Sequence, residues 1–205
     1  MLILYKSKLV FVHIPKTGGC SVREHLKTSG PYCEMFGEHD TTGDLAHLVP
    51  SKINDMIHIN LKEYTLFMIT RNPYARLVSM WYYLRVKWRT FPEFVNFLNE
   101  NDVNQWPVHA IPQVVFYEDG KEKCEFKQIM VLRFENLRVE YKALCAKCGI
   151  EGELPHQNQS RFTLKELDTM AHYDDKTLAI VNRLYEKDFE AFGYVQSVPP
   201  RICTL

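Results

Sequence analysis

Residues 9–21 read Leu9-Val-Phe-Val-His-Ile-Pro-Lys-Thr-Gly-Gly-Cys-Ser21, and this stretch decides the fold. Its first half is apolar and rich in β-branched residues, which predicts a short buried strand that stops at Pro15. The pair Gly18-Gly19 then allows a tight loop, and a helix is predicted over residues 20–27. The stretch therefore predicts a strand, a glycine loop and a helix in succession.

A second unit of the same kind lies downstream. Residues 64–70, Tyr64-Thr-Leu-Phe-Met-Ile-Thr70, predict another buried strand, and Pro73 suits the first position of a helix that runs to about residue 87. Parallel strands need crossover helices, so two such units predict a parallel sheet. We therefore expect an α/β fold with a P-loop-like central parallel sheet flanked by helices, in a single domain over residues 1–205.

The rest of the chain carries further signals of local structure. Strands are predicted within residues 32–37 and 128–134, and helices over residues 91–99 and 137–148. Asp174-Asp175 predicts the N-cap of a last helix that runs to about residue 189. Asp119-Gly120 predicts a turn between two apolar runs.

The composition limits the classes of partner. Lys plus Arg and Asp plus Glu number 25 each, and a net charge of zero argues against nucleic acid as a partner. Lys6 and Lys8 interrupt any signal-peptide core. The sequence contains no run of about 18 apolar residues, so it predicts no membrane span. We therefore expect a cytoplasmic protein.

The loop within residues 13–21 has the chemistry of a phosphate site. A glycine loop that opens a helix points backbone N–H groups at one place, where the helix dipole adds positive charge. Lys16 adds a full charge, and charge-assisted hydrogen bonds are worth roughly 1.5–3 kcal/mol each. Lys16 precedes the glycines instead of following them, which disfavours a magnesium-dependent nucleotide triphosphatase. A plain tight turn is the alternative.

Arg71 and Ser79 form a second candidate site. Arg71 follows the second predicted strand, and ligands of open α/β sheets bind at the carboxyl ends of strands. A guanidinium can bind two phosphate oxygens at once, and Ser79 lies about two helical turns beyond Pro73. We therefore predict that these two residues bind a second phosphate. The alternatives are a surface ion pair for Arg71 and an ordinary helix-surface position for Ser79.

Together these segments resemble the carbohydrate sulfotransferases that use 3′-phosphoadenosine 5′-phosphosulfate (PAPS), in particular the heparan sulfate 6-O/2-O and chondroitin sulfotransferase-like group. His13-Ile-Pro-Lys-Thr-Gly-Gly-Cys-Ser21 resembles their 5′-phosphosulfate loop, and Thr70-Arg-Asn-Pro-Tyr-Ala-Arg-Leu-Val-Ser79 resembles their 3′-phosphate motif. Residues 132–137, 154–160 and 185–194 resemble three further segments, so the likeness extends over most of the chain.

The resemblance implies a role for each of these residues. Lys16 would neutralise charge on the bridging oxygen as the sulfuryl group leaves, and Arg71 and Ser79 would bind the 3′-phosphate. The residues implied to bind the rest of the nucleotide are Lys16, Thr17, Gly18, Gly19, Cys20 and Ser21, together with Ser160 and Arg161. Cys20 stands where the family usually has threonine, so a backbone contact remains there and a hydroxyl contact does not. The resemblance implies no metal, and it leaves an excised domain of a Golgi-type enzyme as the alternative to a cytoplasmic protein.

Sulfuryl transfer needs a base that removes the proton of the acceptor hydroxyl. His39 lies in a segment that resembles the Gly-x-His of the heparan 6-O-sulfotransferases, and histidine titrates near neutral pH. His39 is therefore the predicted base, with Glu38 as the alternative. His13 is predicted to have a structural role beneath the loop because its neighbours are apolar. His109 and Gln113, which resemble an acceptor-side segment, are predicted to bind the substrate.

The sequence thus predicts a PAPS-dependent sulfotransferase that transfers the sulfuryl group to a hydroxyl group of a glycan. Two other classes stay open. A small ATP-dependent kinase would bind ATP with magnesium, and a non-catalytic nucleotide-binding module would bind the donor without turnover.

Overall fold

The computed structural model describes residues 1–34, 45–84, 86–155 and 168–198. The chain divides into two compact units, each with an apolar core of its own. We call Met1–Arg71 with Gln113–Ser160 the sheet unit, and Asn72–Pro112 with Arg161–Leu205 the helical unit. A single domain over residues 1–205 stays a prediction.

Strands and helices follow one another in the order of a mixed α/β fold. The described strands are β1 (Leu2–Leu4), β2 (Leu9–Val12), β3 (Tyr32–Glu34), β4 (Thr65–Thr70) and β5 (Gln128–Arg133). The described helices are α1 (Gly19–Lys27), α2 (Lys52–Met56), α3 (Pro73–Leu84), α4 (Phe91–Glu100), α5 (Gln113–Lys123), α6 (Leu137–Cys148), α7 (Asp175–Leu184) and α8 (Glu186–Phe192). None of these helices is long and apolar enough to cross a membrane.

The described strands form one sheet in the order β3-β1-β2-β4-β5. β2, β4 and β5 run parallel to one another, whereas β1 pairs antiparallel with both β2 and β3. The predicted α/β class with a parallel centre is therefore confirmed. β1 was not predicted, because three residues are too few to show a period of two.

The core of the sheet unit explains the apolar runs in the sequence. Every residue of β2 is buried, as are the last five of the six residues of β4, because helices of the sheet unit pack over the strands. Phe11 of β2 and Phe67 of β4 stack with their ring centroids 4.8 Å apart, and Val22 and Leu26 of α1 join the same core. This packing holds β2 beside β4, so the segments that follow both strands lie at the same edge of the sheet.

Asp119-Gly120 lies inside α5, so the predicted turn there is wrong. The buried Asp119 carboxylate accepts hydrogen bonds from Ser51 N at 2.7 Å and from Ser51 Oγ at 2.9 Å, and Lys123 Nζ lies 3.0 Å from it. A Cβ on Gly120 would lie 3.2 Å from Pro50 Cγ, so the glycine lets α5 approach this segment closely. These tertiary contacts outweigh the cost of glycine in a helix, which is about 1 kcal/mol.

Asp119→Ala is expected to lower the free energy of unfolding by about 2–3 kcal/mol, because it removes a charged acceptor and leaves the Ser51 donors without it. Urea unfolding followed by circular dichroism measures this loss. The control is Asp55→Ala, which removes an exposed ion pair with Lys52 and is expected to cost less than about 0.5 kcal/mol. Equal losses for the two variants would contradict the role assigned to Asp119.

The helical unit has an aromatic core. Its largest buried rings are Tyr74, Phe91, Phe94, Tyr185 and Phe189. α3 begins at Pro73, as predicted, and it ends at Leu84, before the predicted end at residue 87. α4 begins with a capping box, in which Thr90 and Glu93 bond each other's backbone, and this local signal explains the agreement with the predicted helix.

The last predicted helix is divided in two. Its start is confirmed, since the Asp174 side chain accepts a hydrogen bond from Thr177 N at 2.7 Å. At Tyr185 the chain leaves helical geometry, with φ −115° and ψ 20°, and α8 begins at the next residue. The Tyr185 hydroxyl donates to the Ala110 carbonyl at 2.7 Å. The break thus coincides with a tertiary contact that the local sequence does not reveal.

Candidate functional site

The turn after β2 brings backbone N–H groups together at the start of α1. Lys16 and Gly18 have φ values of 66° and 83°, which reverse the chain between the strand and the helix. The Thr17 hydroxyl is buried and donates to the Ile14 carbonyl at 2.8 Å, which closes the turn. α1 begins at Gly19 with no acidic residue in its first turn, so its N–H groups and its dipole favour an anion.

The imidazole of His13 lies against the first residue of α1. A Cβ on Gly19 would lie 2.0 Å from His13 Cδ2, a separation that real Cβ atoms do not adopt. His13 is 5% exposed, its ring stacks on Phe11 at 5.8 Å between centroids, and its carbonyl accepts a hydrogen bond from His47 Nδ1 at 2.8 Å. This position agrees with the structural role predicted for His13.

The Lys16 side chain is half-buried, so its ammonium is partly shielded from water. Burial lowers the pKa of Lys16 below its ordinary value, and the charge of Arg71 lowers it further, while Cys20 acts in the opposite direction. An anion beside Lys16 would raise that pKa again, so the site favours a negatively charged ligand. Cys20 is exposed and Ser21 is half-buried, both in the first turn of α1.

Arg71 connects the end of β4 to the loop after β2. Its Nη1 donates to the Lys16 carbonyl at 3.2 Å, and its guanidinium carbon lies 4.3 Å from the centroid of the Phe134 ring. The same ring lies against Gly18, where an added Cβ would be 3.1 Å from it. The structure therefore brings the predicted loop and Arg71 together and adds Phe134, whose role sequence reasoning missed because an aromatic residue after a strand carries no signal of its own.

Gln113, the first residue of α5, makes two hydrogen bonds to the backbone of Arg71. Its Oε1 accepts from Arg71 N at 2.9 Å, and its Nε2 donates to Arg71 O, also at 2.9 Å. Gln113 is 0% exposed. These contacts were not predicted, and the substrate contact that was predicted for Gln113 stays a prediction.

Ser79 and His109 belong to the helical unit. Ser79 is half-buried on α3, and His109 lies in a short 3₁₀ turn with its ring centroid 5.1 Å from that of the exposed Tyr83. The buried Arg76 donates from Nη2 to the carbonyls of His109 at 2.9 Å and Ile111 at 2.8 Å, which holds this turn in place. Sequence reasoning missed Arg76, although it lies within the quoted segment 70–79.

Four residues with predicted roles lie outside the described residues, namely Glu38, His39, Ser160 and Arg161. Their roles stay predictions. Within the part of the chain that the structure describes, no cluster of three or more His, Cys, Asp or Glu side chains could hold a metal ion.

Comparisons with known proteins address the family and the fold of the chain. The sequence profile of the sulfotransferase family matches residues 1–195. The structure is similar to that of mouse sulfotransferase SULT7A1 complexed with PAP, with a TM-score of 0.50 and 15% sequence identity, over 92% of this chain and 86% of that chain. At this identity the likeness concerns the fold. No curated protein matches the sequence.

Proposed function

The chain belongs to the sulfotransferase family, and we propose that it transfers a sulfuryl group from PAPS to a hydroxyl group of a glycan. The observation that carries the proposal is the start of α1, where Lys16 and Arg71 lie together beside a helix N-terminus with no acidic residue in its first turn. Backbone N–H groups and the Lys16 ammonium suit the phosphosulfate of such a donor, and the Arg71 guanidinium adds a second cation for its separate 3′-phosphate. The similar mouse sulfotransferase was solved in complex with PAP.

The residues of the loop fit the 5′ end of the donor. We propose that the N–H groups of Gly19, Cys20 and Ser21 bind the 5′-phosphate, and that Thr17 and Gly18 shape the turn that presents them. We propose further that Arg71 binds the 3′-phosphate of the donor. Ser79 in the same role, and Ser160 with Arg161 as further nucleotide contacts, rest on the family resemblance.

The chemistry needs charge stabilisation and a base. The donor supplies the sulfuryl group: its sulfur–oxygen bond to the 5′-phosphate breaks, a sulfur–oxygen bond to the acceptor oxygen forms, and the acceptor hydroxyl loses its proton. Lys16 offsets the negative charge that grows on the bridging oxygen, and a cation already held in place needs little reorganisation to do so. His39 takes the proton of the hydroxyl, with Glu38 as the alternative base.

Features of the helical unit support a glycan acceptor. The ring of His109 lies beside the exposed Tyr83, and its backbone is held by the buried Arg76. An exposed aromatic ring next to a polar side chain suits a sugar, which has apolar faces and hydroxyl edges. We therefore propose His109 as an acceptor contact.

The experiment that tests the proposed function is calorimetric titration with 3′-phosphoadenosine 5′-phosphate (PAP) in the presence of a chelator. The wild-type protein is expected to bind PAP without a metal and to transfer labelled sulfate from PAPS to a glycan. His39→Ala is expected to keep its affinity for PAP and to lose about 10²–10⁴-fold in turnover.

The other outcomes separate the alternatives. No binding of PAP by the wild-type protein would sink the proposed function. Binding of ATP only with magnesium would indicate a kinase, and PAP binding without turnover on any acceptor would indicate a binding module. Unchanged turnover of His39→Ala would remove His39 as the base and direct the search to Glu38.

A further inference from the structure

We propose that Gln113 is a positioning residue that orients Arg71 for the donor. This inference rests on the proposed function, because it concerns how the enzyme binds the 3′-phosphate of PAPS. It assigns Gln113 a contact with Arg71 in place of a direct contact with the acceptor. Gln113, Arg71 and the groups that Arg71 contacts all lie within the sheet unit.

The Gln113 amide continues the hydrogen bonding of the sheet at the end of β4. The ladder between β4 and β5 ends with the pair Thr70 and Arg133, so Arg71 lies one residue beyond it. The amide of Gln113 bonds both Arg71 N and Arg71 O at 2.9 Å, as a neighbouring strand would. The Gln113 side chain thus extends the hydrogen bonding of the sheet by one residue. That residue is Arg71, which is proposed to bind the 3′-phosphate.

The Arg71 side chain extends to the loop after β2. Its guanidinium is placed against the Lys16 carbonyl and the face of Phe134, so it belongs to the same site as the loop. The backbone of Arg71 sets the direction in which this long side chain leaves the chain. A small rotation of that backbone would therefore displace the guanidinium by far more than it displaces the Cα atom.

The Gln113 amide carries both a hydrogen-bond donor and an acceptor. Only a side chain with one donor and one acceptor at the same end can bond both groups of Arg71. Methionine has a similar length but offers neither a good donor nor a good acceptor. Glutamate offers two acceptors, so one carboxylate oxygen would face the Arg71 carbonyl unless the carboxyl were protonated. Because Gln113 is 0% exposed, water cannot readily replace the lost bonds.

The test is a double-mutant cycle on PAP affinity, measured by calorimetry with Gln113→Met and Arg71→Ala alone and combined. Gln113→Met is expected to weaken PAP binding about 10–50-fold in the wild-type background and less than about twofold in the Arg71→Ala background, because its effect passes through Arg71. Adenosine 5′-monophosphate, which lacks the 3′-phosphate, is expected to bind the wild-type protein and Gln113→Met equally.

Gln113→Glu provides a second variant if Gln113→Met does not fold. Its PAP affinity relative to the wild-type protein is expected to recover at least about threefold between neutral pH and pH 5, as the new carboxyl gains a proton and can donate to Arg71 O. Equal losses in both backgrounds, equal losses for both nucleotides, or the absence of recovery by Gln113→Glu would overturn the inference alone. A wild-type protein that does not bind PAP would overturn the proposed function and the inference with it.

Discussion

Replacing Lys16 by methionine is expected to lower the turnover of sulfuryl transfer by about 10²–10³-fold, which is the usual cost of removing one group that stabilises charge in a transition state. Methionine matches lysine in length and is also a non-glycine residue at the positive φ of this position. The variant therefore changes the charge and leaves the backbone strain as it is. Steady-state kinetics with labelled PAPS measures the loss.

The same variant is expected to make the ligand-free protein slightly more stable. The pKa of Lys16 is lowered in the folded state by burial, so the protonated form costs folding free energy at every pH below that lowered pKa. Removal of the charge removes this cost, whereas a purely structural lysine would lose contacts and stability. Thermal unfolding without ligand, together with PAP titration, distinguishes the two cases.

The lowered pKa also predicts a pH dependence. Binding of an anion favours protonated Lys16, so PAP affinity is expected to fall as pH rises through the pKa of Lys16, beginning below the ordinary lysine value. Lys16→Arg is expected to lack this alkaline decrease, because arginine keeps its proton. Lys6→Met, at an exposed position in the turn before β2, is the matched control, with unchanged turnover and stability. Full activity of Lys16→Met would refute the proposed role of the lysine.

Gly19→Ala is expected to destabilise the fold by about 1–3 kcal/mol through overpacking and to lower turnover by about 10²-fold through displacement of the loop. The added Cβ would lie 2.0 Å from His13 Cδ2 and 2.3 Å from His13 Nε2. The ring cannot easily move away, because it stacks on Phe11 and contacts His47. Either α1 or the imidazole must therefore shift, and the loop that starts α1 shifts with it.

Gly120→Ala provides the matched control for this prediction. Gly120 is also helical, but the nearest atom to its added Cβ would be Pro50 Cγ at 3.2 Å, with Pro50 Cβ at 3.5 Å and Leu66 Cδ1 at 3.7 Å, so the helix preference of alanine offsets a mild contact. We expect a stability change within about 1 kcal/mol and normal turnover. Combining Gly19→Ala with His13→Ala is expected to cost less than the sum of the two single changes, since the clash then disappears. Strict additivity would show that His13 is not the group that excludes a side chain at position 19.

Much of the fold was predictable because its signals are local. The apolar run that begins at Leu9 and the run 64–70 predicted β2 and β4, because nearly all the residues of these two strands are buried on both faces of the sheet. Pro73 and Asp174 predicted the starts of α3 and α7 through their effects on the backbone next to them. Asp119-Gly120 predicted a turn but lies inside α5, because contacts with Pro50 and Ser51 stabilise the helix there.

The candidate site also has features that the local sequence predicts and features that only tertiary packing creates. The order of Lys16 and the two glycines between a strand and a helix was sufficient to predict an anion site, because the loop, the helix dipole and the lysine are neighbours in the chain. The sequence could not reveal that His13 excludes a side chain at position 19, that Phe134 lies against both Gly18 and Arg71, or that Gln113 bonds the Arg71 backbone. These pairs meet only when the sheet and its helices pack, and no local pattern encodes which side chains then face each other. The loop chemistry was therefore a property of the sequence, whereas the support that holds its charged groups in place was decided by the tertiary structure.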